Sequence, residues 1–108
     1  MQAQPAPDLF RALADPTRRA VFERLAGDGE LSVGDLVAGA GVSQPAVSQH
    51  LAVLRQAGLV TERRDGRFVR YAAAPEGLKP LIDWMALYAV FWRERFDRLE
   101  DLLSRMDQ

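Results

Sequence analysis

Between Ser43 and Ala57 the chain sets out hydrogen-bonding side chains in a pattern suited to reading the edges of base pairs. At the 3.6-residue turn of an α-helix, Pro45, Ser48, Gln49, Ala52, Arg55 and Gln56 fall on one side, and Val47, Leu51, Leu54 and Ala57 cluster on the other. Glu and Lys, usual on a solvated helix face, are absent from the whole of 44–57. Small residues let such a helix approach a groove closely, and a glutamine amide can bond twice to adenine. Ser48 and Gln49 are therefore the candidates for base edges. Ser43 and Gln44, with Pro45 beside them, stand at the helix start, where the local dipole and free N–H groups favour phosphate. Arg55 is a candidate for the phosphate backbone. A second set follows at Arg63, Arg64, Arg67 and Arg70, a spacing that would flank or enter an adjacent minor groove. His50, the only histidine, falls at the edge of the buried side and reads as a packed residue that cannot form a metal site alone.

Elements that would position these side chains are legible around them. Leu9, Phe10 and Leu13 predict a short first helix that stops before Asp15-Pro16. Asp15 is placed to cap the next helix, with Pro16 at its first position. Val21, Phe22 and Leu25 form its apolar stripe, and Gly27-Asp28-Gly29 ends it. Ser32 and Asp35 make a box-like cap for a third helix carrying Leu36 and Val37 inward, broken at Gly39-Ala40-Gly41. Ser43 caps the fourth helix, expected over 44–57, with Gly58 as its left-handed end. The period then changes. Asp65-Gly66 is a strong two-residue hairpin signal; it places Glu62 opposite Val69 and Val60 opposite Tyr71. Val60, Val69 and Tyr71 share one apolar face, while Thr61, Arg63, Phe68 and Arg70 share the other. After Pro75 and Pro80, one long helix is expected over about 81–104. It carries Leu81, Met85, Tyr88, Trp92, Leu99, Leu102 and Met106 at near-heptad spacing, with Trp84, Phe91, Phe96 and Leu103 beside them.

Two helices joined by a glycine-containing turn and followed by a hairpin spell a winged helix-turn-helix, a mainly α fold with a β-hairpin wing that dimerises through its terminal helices. The expected organisation is a flexible leader over 1–7 and one domain over 8–108. Within it, 31–58 is the helix-turn-helix, 59–73 the wing and 75–105 the dimerisation helix. The aromatic surface of the last helix exceeds what a small core can cover, so Leu9, Phe10, Leu13, Trp84, Tyr88, Phe91, Trp92 and Leu99 are the candidate surface for a two-fold homodimer.

Bulk properties agree. The 108 residues suit one domain, and 48% hydrophobic against 27% charged is a globular balance. The net charge of −1 divides by region into −2 for residues 1–35, +3 for 36–75 and −2 for 76–108, so the positive charge lies where a nucleic-acid face would need it. There is no cysteine, which removes disulfides and thiolate metal sites. The N-terminus lacks a signal peptide's basic start and apolar run, and no stretch is long and apolar enough to span a membrane, so a soluble cytoplasmic protein is expected. With one histidine, no phosphate-cradling glycine loop and no carboxylate pair in a credible pocket, neither an enzyme nor a cofactor is expected.

The runs FRALADPTRRAVFERLA, SQPAVSQHLAVLRQAGLV and ERRDGRFVRYA resemble the ArsR/SmtB family of bacterial winged-helix repressors, in the family's order and over roughly 8–104. The resemblance implies a homodimer that binds double-stranded DNA at an inverted-repeat operator and represses its own operon by occluding the promoter. Many such proteins release DNA when a metal or metalloid binds, but those sensing residues do not carry over. Where the metalloid-binding segment of the family reads like ELCVCDL, this chain has Glu30-Leu31-Ser32-Val33-Gly34-Asp35-Leu36, with Ser32 and Gly34 at the thiolate positions. A second family site pairs Asp with His across the C-terminal helices, and the last helix has no histidine. Asp83, Glu94, Asp97, Glu100 and Asp101 read as a solvated face beside Arg93, Arg95, Arg98 and Arg105, so no metal site is expected. The run YAVFWRERFDRLEDLL resembles a non-metal branch of the family, often encoded beside small START-like domain proteins. Two alternatives stay open: a sensor of a small apolar effector, of unknown identity, bound at the dimer interface, and a winged-helix protein-interaction module without DNA binding.

Overall fold

In the computed structural model, which describes residues 5–39 and 41–107, there are six α-helices and a three-stranded antiparallel sheet; the first four helices and the hairpin follow the expected order. Residues 1–4 of the expected leader lie outside the described residues, and helix α1 (Pro5–Ala14) already begins inside it. Asp15 then caps α2 (Pro16–Asp28), its Oδ1 accepting from the N–H groups of Thr17 at 2.8 Å and Arg18 at 3.1 Å. Those two bonds hold the Asp15 carboxyl below the usual range, the Arg18 N–H contributing most.

Helix α2 organises the body. Val21, Phe22 and Leu25 are buried on one side, and three of its arginines reach back to carbonyls that the ends of other helices leave unpaired. Arg18 Nη1 donates to Arg11 O and Arg19 Nη1 to Leu13 O, both on α1. Arg24 Nη1 donates to Leu36 O and Ala38 O, at the end of α3 (Val33–Val37). The start of α3 is closed by the predicted box: Ser32 Oγ accepts from Asp35 N at 3.1 Å, and Asp35 Oδ2 accepts from Ser32 N at 3.0 Å.

Helix α4 (Gln44–Gln56) ends where Gly58 predicts. Gly58 takes φ 81°, its N–H donates to Arg55 O, and the Leu59 N–H reaches Leu54 O at 2.9 Å. This is the two-bond Schellman ending, closed by the buried pair Leu54 and Leu59. Leu9, Leu25, Leu36, Val47, Leu51, Leu54 and Leu59 form the fully buried centre of the core.

Strands β2 (Val60–Asp65) and β3 (Phe68–Ala73) form the wing, in a register that differs from the expected one by two residues. Val60 faces Ala73, Glu62 faces Tyr71 and Asp65 faces Phe68, so the two-residue turn is Gly66-Arg67 rather than Asp65-Gly66. Gly66 has φ 63° and Arg67 does not have positive φ. Positive φ at the first central position alone is the type II′ demand, which glycine meets and arginine need not. A strand absent from the sequence reading, β1 (Leu31–Ser32), pairs with the other edge of β3, giving the order β1-β3-β2.

The single C-terminal helix of the sequence reading is two. After a 3₁₀ turn at Pro75–Leu78, α5 (Lys79–Ala86) stops, and α6 (Ala89–Met106) starts after Leu87 and Tyr88. Leu87 N and Tyr88 N donate three residues back, to Trp84 O and Met85 O, tightening the turn where the helices part. Helix α5 lies on α1, with Trp84 edge-on to Phe10 at 5.3 Å between ring centroids. Helix α6 projects: apart from the half-buried Ala89 its residues are exposed, and the radius of gyration is 18.9 Å. A compact chain of this length has about 13 Å.

Candidate nucleic-acid interface

Helix α4 presents the two sides that its sequence predicts. Val47, Leu51 and Leu54 are buried, while Pro45, Ser48, Gln49, Ala52, Arg55 and Gln56 are exposed. Anchoring comes from both flanks, since α2 and α3 pack against the apolar side and leave the other uncovered. Ser48 and Gln49 therefore stand in solvent on a helix whose opposite side is fixed in the core, the arrangement that groove reading requires. Ser43 is the N-cap, its Oγ accepting from Ala46 N at 3.3 Å, and Gln44 and Pro45 are exposed in the first turn. The Ser43 hydroxyl proton stays available to a phosphate oxygen, beside the N–H groups of that turn. His50 is half-buried at the edge of the apolar side.

The wing keeps its two faces despite the changed register. Val60 is buried and Val69, Tyr71 and Ala73 are half-buried on the inner face, which also carries the exposed Glu62 and Arg64, whereas on the outer one Thr61, Arg63 and Phe68 are exposed and Arg70 is half-buried. Burial, together with the nearby Glu62 charge, pushes the Tyr71 phenol above its usual range.

Three acids that the sequence reading did not place in the interface answer three of its arginines. Glu30, just before β1, takes Arg63 in a two-point grip, accepting from Nε at 2.9 Å and Nη2 at 2.8 Å. The Arg63 guanidinium holds the Glu30 carboxyl below its usual range. Asp65 accepts from Arg70 Nε at 3.1 Å, and Glu62 pairs with Arg55 at the end of α4. Glu62 and Asp65 stand close to their partners in sequence and could have been paired with them. Glu30 lies 33 residues from Arg63, and only the unforeseen strand β1 brings it there. Among the described residues Arg64 and Arg67 make no ion pair.

Of the expected dimer surface, Phe10, Trp84, Tyr88, Phe91, Trp92 and Leu99 are exposed and Leu13 is half-buried. Leu9 is corrected: at 2% exposure it belongs to the protomer's own core and offers no surface to a partner. Trp84 of α5 meets Tyr88 edge-on, and Phe91, Trp92 and Phe96 form a second run of ring contacts along α6. Among the described residues no three His, Asp or Glu side chains lie together as metal ligands would, and no helix is long and apolar enough to cross a membrane. Ser32, at one of the family's thiolate positions, is taken up in the α3 cap.

This geometry has counterparts among known proteins. Residues 13–63 match the family model described as a helix-turn-helix domain. The chain is 50% identical over 82 residues to the HTH-type transcriptional regulator Rv2034 of Mycobacterium tuberculosis, covering 75% of this chain and 76% of the relative. It is 36% identical over 78 residues to the transcriptional repressor SdpR of Bacillus subtilis, covering 72% of this chain and 86% of that protein. Among solved structures, an ArsR-like transcriptional regulator from Rhodococcus sp. RHA1 superimposes with a TM-score of 0.72 at 26% identity, over 91% of this chain and 92% of that one. The chain belongs to the ArsR/SmtB family of winged helix-turn-helix transcriptional regulators.

Proposed function

We propose that this DNA-binding regulator acts as a cytoplasmic homodimeric repressor of its own operon, occluding the promoter by sitting on an inverted repeat. The observation that carries the reading is the exposed, acid-free side of α4, with Ser48 and Gln49 outward and Val47, Leu51 and Leu54 anchored in the core. In the groove, Ser48 and Gln49 meet base edges, and Ser43, Gln44 and Pro45 bring the helix N-terminus to a phosphate. The arginine-rich wing approaches the neighbouring backbone.

Dimerisation is supported by the projecting helix. Eighteen residues of α6 carry Phe91, Trp92, Phe96, Leu99, Leu102 and Leu103 with about half or more of each side chain's surface in solvent. Monomeric proteins rarely leave so large a contiguous apolar surface uncovered. A second copy, related by a two-fold axis, is the simplest cover and places two α4 helices on one side of the assembly.

Footprinting the purified protein on the DNA upstream of its coding sequence tests the reading. Two protected half-sites in inverted repeat, about one helical turn apart, are expected. Folded protein that protects no segment, at low salt and in excess, overturns it.

A further inference from the structure

The wing carries more arginines than it has charge to offer, and the ion pairs divide them. This inference rests on the DNA-binding reading and deepens it at the level of single residues. Arg63 is held at both Nε and Nη2 by Glu30, at 2.9 and 2.8 Å. Leu31, next to Glu30, pairs with Tyr71 on one edge of β3, and Arg63 pairs with Arg70 on the other. The Glu30–Arg63 pair therefore ties the two outer strands together across β3. Arg70, facing Arg63 across the ladder, is answered by Asp65, and Arg55 is answered by Glu62.

An arginine leaving such a carboxylate for a phosphate exchanges one anion for another. It also strands the carboxylate against the negatively charged backbone, so the exchange brings no net attraction. Arg64, the last-but-one residue of β2, and Arg67, in the turn, are exposed at the wing tip and make no ion pair among the described residues.

We infer that Arg64 and Arg67 are the wing residues that neutralise DNA phosphates, and that Arg55, Arg63 and Arg70 hold the wing and the end of α4 in shape through Glu62, Glu30 and Asp65. Counterion release registers only charges that neutralise phosphate, at a slope of about −0.9 in log K against log salt for each. Two such residues per subunit give a dimer a slope of about −3.6, against about −9 if all five arginines contacted phosphate.

The test is the salt dependence of binding to a short duplex of mixed sequence, where the sequence-independent contacts dominate. Arg64→Gln and Arg67→Gln each shallow the slope by about 0.9 per subunit and leave the melting temperature unchanged. Arg63→Gln and Arg70→Gln leave the slope in place and lower the melting temperature. For the clamp itself, Glu30→Gln lowers the melting temperature as Arg63→Gln does, and the double variant lowers it no further. A slope lost as much in Arg63→Gln as in Arg67→Gln overturns this division of roles while leaving DNA binding intact. Wild-type protein that binds no duplex at low salt overturns both this inference and the function on which it rests.

Discussion

Gln49 is one of the two exposed side chains proposed to meet base edges, and its amide is the better suited to a two-point contact, so its contribution is separable in a binding curve. Gln49→Ala removes discrimination of about 1–3 kcal/mol at the base pair it reads. The expected outcome is weaker binding to the footprinted operator and unchanged binding to a mixed-sequence duplex, measured by fluorescence anisotropy on both. The carboxylates give a different residue-scale prediction. Asp15, Asp35 and Glu30 are all held below their ordinary range, by the Arg18 N–H, the Ser32 N–H and the Arg63 guanidinium respectively. A depressed carboxyl stabilises the fold at pH above its unfolded value and loses that contribution as pH falls through its folded value. The melting temperature should therefore hold from neutral pH down to about 5 and decline below about 4. Glu30→Gln should make that decline shallower, because one of the three titrating groups is gone.

At the scale of elements, Gly77 has the sharpest consequence. It sits in the 3₁₀ turn between the wing and α5, and a Cβ built on it would lie 2.0 Å from the Gly58 carbonyl oxygen at the end of α4. That neighbour is backbone and cannot rotate away. Gly77→Ala should destabilise the fold by about 1–3 kcal/mol in denaturant melts, a cost typical of overpacking. Local signals elsewhere made much of the fold legible. Ser43 and Gly58 bound α4 nearly to the residue, Ser32 with Asp35 starts α3, and the alternation of Val60, Val69 and Tyr71 assigns the faces of the wing. The same alternation could not choose the register, because a two-residue shift leaves every side chain on its original face. The choice lies in the turn, where Asp65-Gly66 and Gly66-Arg67 both satisfy a two-residue loop. Strand β1 was hidden by its length of two residues, too short for any period, and the break before Ala89 by the lack of a glycine or proline beside it. The Glu30–Arg63 pair depends on that hidden strand and so has no sign in the sequence, whereas the spacing of Val47, Leu51 and Leu54 marks the buried side of α4 directly.

The whole molecule is a compact body with one long arm, 65 Å in its greatest extent. Leu99 lies on the arm, half exposed and outside the protomer's core, so changing it should leave the single subunit folded. Leu99→Glu should convert the proposed dimer to a monomer in sedimentation and weaken operator binding, with little change in the far-ultraviolet spectrum. A variant that stays dimeric would place the two-fold contact elsewhere. The close approach of Gly77 to Gly58 also bears on the architecture of the operator. It seats the segment that leads into the arm directly against the end of the reading helix, with no compliant spacer between them. In the proposed dimer the angular phase of the two α4 helices is then set by the protein rather than adjusted to the DNA. One added base pair between half-sites rotates them by about 35° around the duplex, since B-DNA turns once in 10–10.5 base pairs. Such a repressor should tolerate substitutions between its half-sites far better than insertions, and an added half turn should reduce it to gripping one half-site alone.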